Sequence, residues 1–115
     1  MDVVVTVPKS FGLKQWIDEG DAAGDKYTGQ LWDFYCGGGK PDIKVGERVY
    51  VVCEGKLRGY APLVELLWNG SRGSFVRGGN AVAVTIKKPI TGFRGWRYRW
   101  WEYKDEMPFP DWRKS

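Results

Sequence analysis

Two extended runs joined by a two-residue turn constrain this chain more than any other stretch. Arg48-Val49-Tyr50-Val51-Val52-Cys53 is built from β-branched and aromatic residues, Glu54-Gly55 follows, and Leu57 to Leu66 returns. Gly reaches the positive φ that such a turn needs, so the pair reads as a β-hairpin. A tight turn at Val45-Gly46-Glu47 leads into it. Gly59 and Pro62 interrupt the returning run, one lacking a side chain and the other an amide donor. They predict a bulge or close backbone approach at Gly59 and an edge position at Pro62.

The flanking segments supply further strands and one helix. Asp2 to Val7, closed by Pro8, reads as the first strand. Ser10 is a natural N-cap for a short helix over Phe11–Glu19, in which Leu13, Trp16 and Ile17 form one apolar stripe and Gly20 ends the run. Asp21 to Asp25 is a loop, and Tyr27 to Tyr35 a strand with Tyr27, Leu31 and Tyr35 on one face and Trp32 and Phe34 on the other. Gly37-Gly38-Gly39-Lys40-Pro41 lacks the Ser or Thr after Lys, and the strand–loop–helix context, of a phosphate loop, so it reads as a flexible loop. Trp68 to Gly79 reads as a loop carrying Arg72 and Arg77. Ala81 to Ile86 alternates, with Val82, Val84 and Ile86 on one face. Lys87-Lys88-Pro89 closes that strand, and Met107 to Trp112 reads as an extended tail packing back on the body.

Five or so strands, one helix and no strand–helix alternation exclude a doubly wound sheet. The expected fold is α+β, mostly β: a small mixed-sheet pseudo-barrel with one N-terminal helix over an opening. At 115 residues, residues 1–115 read as a single domain, and 43% hydrophobic content with 16% aromatic is enough for a core.

Composition also removes chemistries. With no histidine, and with Cys36 and Cys53 outside any CxxC pair, a zinc site and every Ser-His or Cys-His nucleophile drop out. No metal or cofactor is expected, and both cysteines read as reduced, partly buried thiols. No run approaches the ~18 apolar residues of a membrane span, and the N-terminus lacks a basic signal-peptide region, so a cytoplasmic protein with no membrane partner is expected.

Charge points to a partner. Residues 1–47 hold five Lys/Arg against eight Asp/Glu, whereas residues 48–115 hold thirteen against six. Such asymmetry suggests that one face meets a polyanion. The basic half contains Gly92 to Tyr103, GFRGWRYRWWEY. Strict alternation places Trp96, Tyr98 and Trp100 on one face and Arg97, Arg99 and Trp101 on the other. Arg94, Arg97 and Arg99 can pair with phosphates, and nearby rings can stack on bases. An outward Trp101 beside Arg97 and Arg99, with Lys87 and Lys88, therefore reads as a nucleic-acid-binding surface. The plainer reading makes Trp96, Tyr98 and Trp100 the core face of a strand and the arginines its solvated side.

The central hairpin also carries a family likeness. Lys44-Val45-Gly46-Glu47-Arg48-Val49-Tyr50, followed by Lys56-Leu57-Arg58-Gly59-Tyr60-Ala61, resembles the central signature of PUA-like domains, notably their ASCH and EVE branches. The resemblance implies a pseudo-barrel with a pocket between helix and barrel, for which Trp16, Trp32, Arg58 and Tyr60 are the base-pocket candidates, with Trp101 a further ring for an aromatic cage. Gly24-Asp25-Lys26-Tyr27-Thr28 is similar to the Gly-x-Lys-Thr segment of ASCH-like proteins, although Leu31-Trp32-Asp33 stands where their Glu-x-Arg continues, and Trp32-Asp33 is closer to the EVE pattern. Some ASCH-like proteins hydrolyse a modified cytidine or cleave RNA, and by that resemblance Lys26, Thr28 and Glu65 would be the catalytic set. As ordinary residues, Lys26 and Thr28 belong to a loop and strand edge, and Glu65 to the polar face of the hairpin.

The expected function is a nucleic-acid-binding module, for RNA or a nucleotide within it. The alternatives are a small ASCH-type hydrolase and a protein-interaction adaptor or inhibitor whose Trp-rich basic face meets a protein partner.

Overall fold

A computed structural model describes residues 1–6, 31–35, 40–68, 70, 72–77, 82–93 and 95–108. In chain order its strands are β1 (Val3–Thr6), β2 (Leu31–Tyr35), β3 (Arg48–Cys53), β4 (Lys56–Trp68), β5 (Arg72–Arg77), β6 (Val84–Thr85), β7 (Trp96–Tyr98) and β8 (Met107–Pro108), with one 3₁₀ turn at Tyr103–Asp105. The protein is mostly β, a curled half-barrel of mixed sheet. Six strands run in the order β2-β5-β4-β3-β1-β7, and β6 and β8 form a separate pair. The sheet is mixed because β1 runs parallel to β3 and antiparallel to β7. Among the described residues there is no α-helix, and none is long and apolar enough to cross a membrane. The helix expected over Phe11–Glu19 lies outside the described residues and is not borne out by them.

The hairpin forms as its sequence dictates. Cys53 pairs with Lys56 across Glu54-Gly55, and both turn residues have positive φ (52° and 80°). Positive φ at both positions is the primed turn whose twist matches that of the strands it joins. The preceding turn closes with a hydrogen bond from the Glu47 amide to the Lys44 carbonyl at 3.0 Å, with Gly46 at φ 91° in its third position. The expected irregularity near Gly59 is present. Val51 pairs with Gly59 and Val52 with Leu57, leaving Arg58 as the extra residue of a bulge.

Pro62 does not sit at an edge but inside a 13-residue strand. Up to Pro62, β4 pairs with β3; from Leu63 it pairs with β5, with a second irregularity at Val64. Tyr60 exchanges both backbone hydrogen bonds with Val82 (3.0 and 2.8 Å). Successive amides point to opposite sides, so the donor that Pro62 lacks would face that same side and costs β3 no bond. The two irregularities and the change of partner let one long strand bend around the curl of the sheet.

Two stretches fold differently from their sequence reading. Arg72–Arg77, expected within a loop, is β5, sandwiched between β4 and β2, and Phe75 and Val76 are fully buried. The alternating run Ala81–Ile86 shortens to Val84–Thr85, with Val82 forming a lone bridge to Tyr60. Of the strand expected over Tyr27–Tyr35, Leu31–Tyr35 forms β2 and the rest lies outside the described residues.

The sheet buries both faces. Val3, Val5, Val49, Leu63 and Phe75 pack on one side, with Trp96 and Tyr98 against them. Val4, Tyr50, Val52, Leu57, Ile90 and Trp101 pack on the other, with Tyr60, Val84, Ile86 and Phe93 against them. Burying a Val or Leu side chain stabilises by roughly 1.5–3 kcal/mol, so the continuous run Val3-Val4-Val5 serves both clusters at once.

Candidate functional site

The second face carries the site. Ile90 is fixed to the hairpin tip by its amide, which donates to the Gly55 carbonyl at 2.9 Å, and the Phe93 amide donates to Thr6 Oγ1 at 3.2 Å. These bonds hold the segment from Ile86 to Phe93 across β1 and β3. Opposite it, β7 ends at Tyr98, the Arg99 amide makes the last bond to the Asp2 carbonyl (3.1 Å), and the chain bends into the 3₁₀ turn. Between the two segments lies a cleft of about 650 Å³, lined by Lys87, Lys88, Trp100, Trp101, Lys104 and Glu106 among others.

Its wall is aromatic, and its rim carries three lysines and the exposed Asp105. Trp101, expected to point outward, is only 6% exposed, packed edge-on against Tyr50 with ring centres 5.0 Å apart. Trp101 joins the core on the second face of the sheet, while Arg97, whose strand partner is Val4 of that core, stays exposed. Trp100, expected to face inward with Trp96 and Tyr98, is instead 53% exposed. The strand geometry that would have turned it inward ends two residues earlier. Lys87, Lys88 and Lys104 are all exposed. Lys104 contacts Glu102 at 3.2 Å in an open surface pair, while Lys87 and Lys88 have no carboxylate partner among the described residues.

Beneath the wall runs a polar network. Glu106 Oε1 accepts from Arg48 Nη1 at 2.9 Å, and Oε2 accepts from Trp101 Nε1 at 2.9 Å and from the Tyr50 hydroxyl. The Arg48 guanidinium also donates to the Tyr50 oxygen (2.8 Å) and lies over the rings of Tyr60 and Tyr103 at 4.2 and 4.4 Å. Burial, and then the hydrogen bond to Glu106, push the Tyr50 phenol far above its ordinary pKa. Asp2 accepts from the Arg48 amide (2.8 Å), the Tyr103 hydroxyl (2.6 Å) and Arg99 Nε (3.2 Å). Burial acts to raise the Asp2 carboxyl, but these bonds outweigh it and hold its pKa below the ordinary value. With its acceptors and donors satisfied, this network reads as a support for the wall.

The expected nucleic-acid-binding residues therefore divide. Lys87, Lys88 and Trp101 converge on the cleft. Arg97 is exposed beside it, its guanidinium 4.6 Å over the Phe93 ring, and Phe93 in turn meets Trp100 edge-on at 6.4 Å. Arg99 is held elsewhere, paired with Asp2, bonded to the Trp101 carbonyl and stacked 4.3 Å over Tyr103. Arg94 lies outside the described residues.

The expected base pocket is not assembled by the described residues. Arg58 is 7% exposed, bonded to the Cys53 carbonyl at 3.1 Å and paired with Glu54. Tyr60 is covered by Arg48. Trp32 lies on β2 beside β5, whereas Arg58 and Tyr60 occupy the part of β4 that pairs with β3. Trp16 lies outside the described residues, as do Lys26, Thr28 and Cys36. Glu65, the third member of the expected catalytic set, is exposed on β4, and Cys53 is buried.

Sequence reasoning missed Trp100 and Lys104 as members of the site. The available signal was the Trp100-Trp101 doublet, of which one ring is buried and the other half-exposed. Comparison with protein-family models, curated proteins and solved structures finds no match. The likeness to PUA-like domains accordingly rests on short sequence motifs alone.

Proposed function

We propose that the protein is a nucleic-acid-binding module and that the cleft on the second face of the sheet is its binding surface. One observation carries the reading: three exposed lysines and a half-exposed indole converge on one concavity of about 650 Å³. Lysines supply the sequence-independent attraction to phosphates that dominates such binding, and an exposed ring supplies a platform for a base. Arg97, on the neighbouring strand, extends the basic surface past Phe93. The basic half of the chain thus has a concave place to act. The PUA-like resemblance points in the same direction.

The test is a titration of the protein's intrinsic tryptophan emission with short nucleic acids, single- and double-stranded, at two salt concentrations. Quenching that weakens as salt rises is the expected result, since each neutralised phosphate releases counterions. No change in emission and no complex by gel shift at low salt would contradict the reading. A Trp-anchored protein partner would then be sought on the same surface.

A further inference from the structure

Trp100 is placed in a way that packing does not explain. It is half-exposed in the cleft wall, yet it is braced from two sides, by Trp101 at 5.0 Å and 83° and by Phe93 at 6.4 Å and 65°. Neither neighbour is parallel to it, so neither of these rings stacks on the indole. Trp101 is itself fixed by its bond to Glu106 Oε2, which is fixed by Arg48 and Tyr50. A large ring is thus contacted by two other rings and left half-exposed in the cleft that Lys87 and Lys88 also line.

We infer that the cleft takes one unpaired base of a single-stranded nucleic acid, stacked on Trp100, with adjoining phosphates on Lys87 and Lys88. The inference rests on the nucleic-acid reading above and specifies it. In a duplex each base face is already covered by its neighbours, so only an unpaired base has a face to offer an indole. A cleft of this volume matches a small-molecule-sized ligand rather than a double helix. Stacking tolerates every base, so the site selects the unpaired state before it selects sequence.

The experiment compares binding of a labelled single strand and of the same strand annealed to its complement, for the unaltered protein, Trp100→Ala and Trp100→Phe. The unaltered protein is expected to prefer the single strand. Trp100→Ala should weaken single-strand binding roughly 5- to 150-fold, leave duplex binding unchanged, and keep the same salt slope, because the lysines still meet the phosphates. Trp100→Phe should recover most of the loss, since a flat ring remains. The strand preference of the unaltered protein is a readout that needs no variant to fold. Equal affinity for both forms, with Trp100→Ala indifferent, would overturn the stacking site while leaving a basic binding surface in place. Absence of binding to either form would remove the nucleic-acid reading itself.

Discussion

The Trp101 indole donates its Nε1 proton to Glu106 Oε2 at 2.9 Å, and this bond ties the aromatic wall of the cleft to the core beneath it. The same carboxylate accepts from Arg48 and Tyr50. Three donors on one little-exposed carboxylate make Glu106 the point on which wall and core depend.

Glu106→Gln should therefore cost about 2–4 kcal/mol of stability, because an amide nitrogen would face donors where an oxygen now accepts. Urea unfolding followed by tryptophan emission measures the loss. Near-ultraviolet dichroism of the folded variant should also change as Trp101 loosens behind Trp100. Glu102→Gln, on the exposed turn, serves as the control. A Glu106→Gln variant as stable as that control would show that the network does not support the wall.

Asp2 predicts an acid limb to the stability curve. Its folded-state pKa is lowered, so its contribution is present above the unfolded-state value of about 4 and fades as pH falls toward and through the folded value. Asp2→Asn should be less stable near neutral pH and should lose less on acidification than the unaltered protein. Denaturant midpoints across the acid range measure the difference. Parallel curves for the two proteins would assign Asp2 no linked stability.

Tyr50 and Tyr103 act at the other end of the scale. Both phenols stand above their ordinary pKa, Tyr50 chiefly through burial and Tyr103 chiefly through its bond to Asp2. Their contribution is full below the unfolded-state value of about 10 and is lost as pH rises beyond it. Absorbance titration should therefore show at least one phenolate appearing only as the fold is lost. Reversible ionisation of every tyrosine in the folded protein would contradict the geometry around Tyr50.

Arg97 and Arg99, two residues apart, should behave differently in binding. Arg97→Ala should weaken nucleic-acid affinity and make the salt slope shallower by up to about 0.7 for a single strand. Arg99→Ala should act mainly on stability, since Arg99 is committed to Asp2, the Trp101 carbonyl and Tyr103. Binding isotherms at several salt concentrations, paired with unfolding midpoints, separate the two roles. A shallower slope in Arg99→Ala with unchanged stability would reverse the assignment.

Much of the central sheet was legible because its signals are local. Glu54-Gly55 fixes a primed turn, Gly59 adjoins a bulge, and Val3-Val4-Val5 supplies a first strand. What was not legible depends on partners distant in sequence. β5 is a six-residue strand, RGSFVR, set among glycines, and only its position between β4 and β2 makes it one. The site turned on a single question of this kind. Period-two alternation separates the faces of β7 but does not say whether the second face meets solvent. Segments 86–93 and 99–106 cover part of it, which buries Trp101 and commits Arg99 while Arg97 stays exposed. Trp100 then becomes the ring that remains open, because the strand has already ended at Tyr98. Lys104 was hidden for the same reason, since only the 3₁₀ turn carries it to the cleft.

The most direct test of the central claim is the salt dependence of nucleic-acid binding in the double variant Lys87→Ala, Lys88→Ala. Both lysines line the cleft and neither pairs with a carboxylate among the described residues, so their removal should leave the unfolding midpoint nearly unchanged. The plot of log affinity against log salt should become shallower by about 0.7 for each phosphate no longer neutralised, or about 1.4 for a single strand that had engaged both lysines. A slope identical to that of the unaltered protein, at undiminished affinity, would place the binding surface elsewhere and contradict the account.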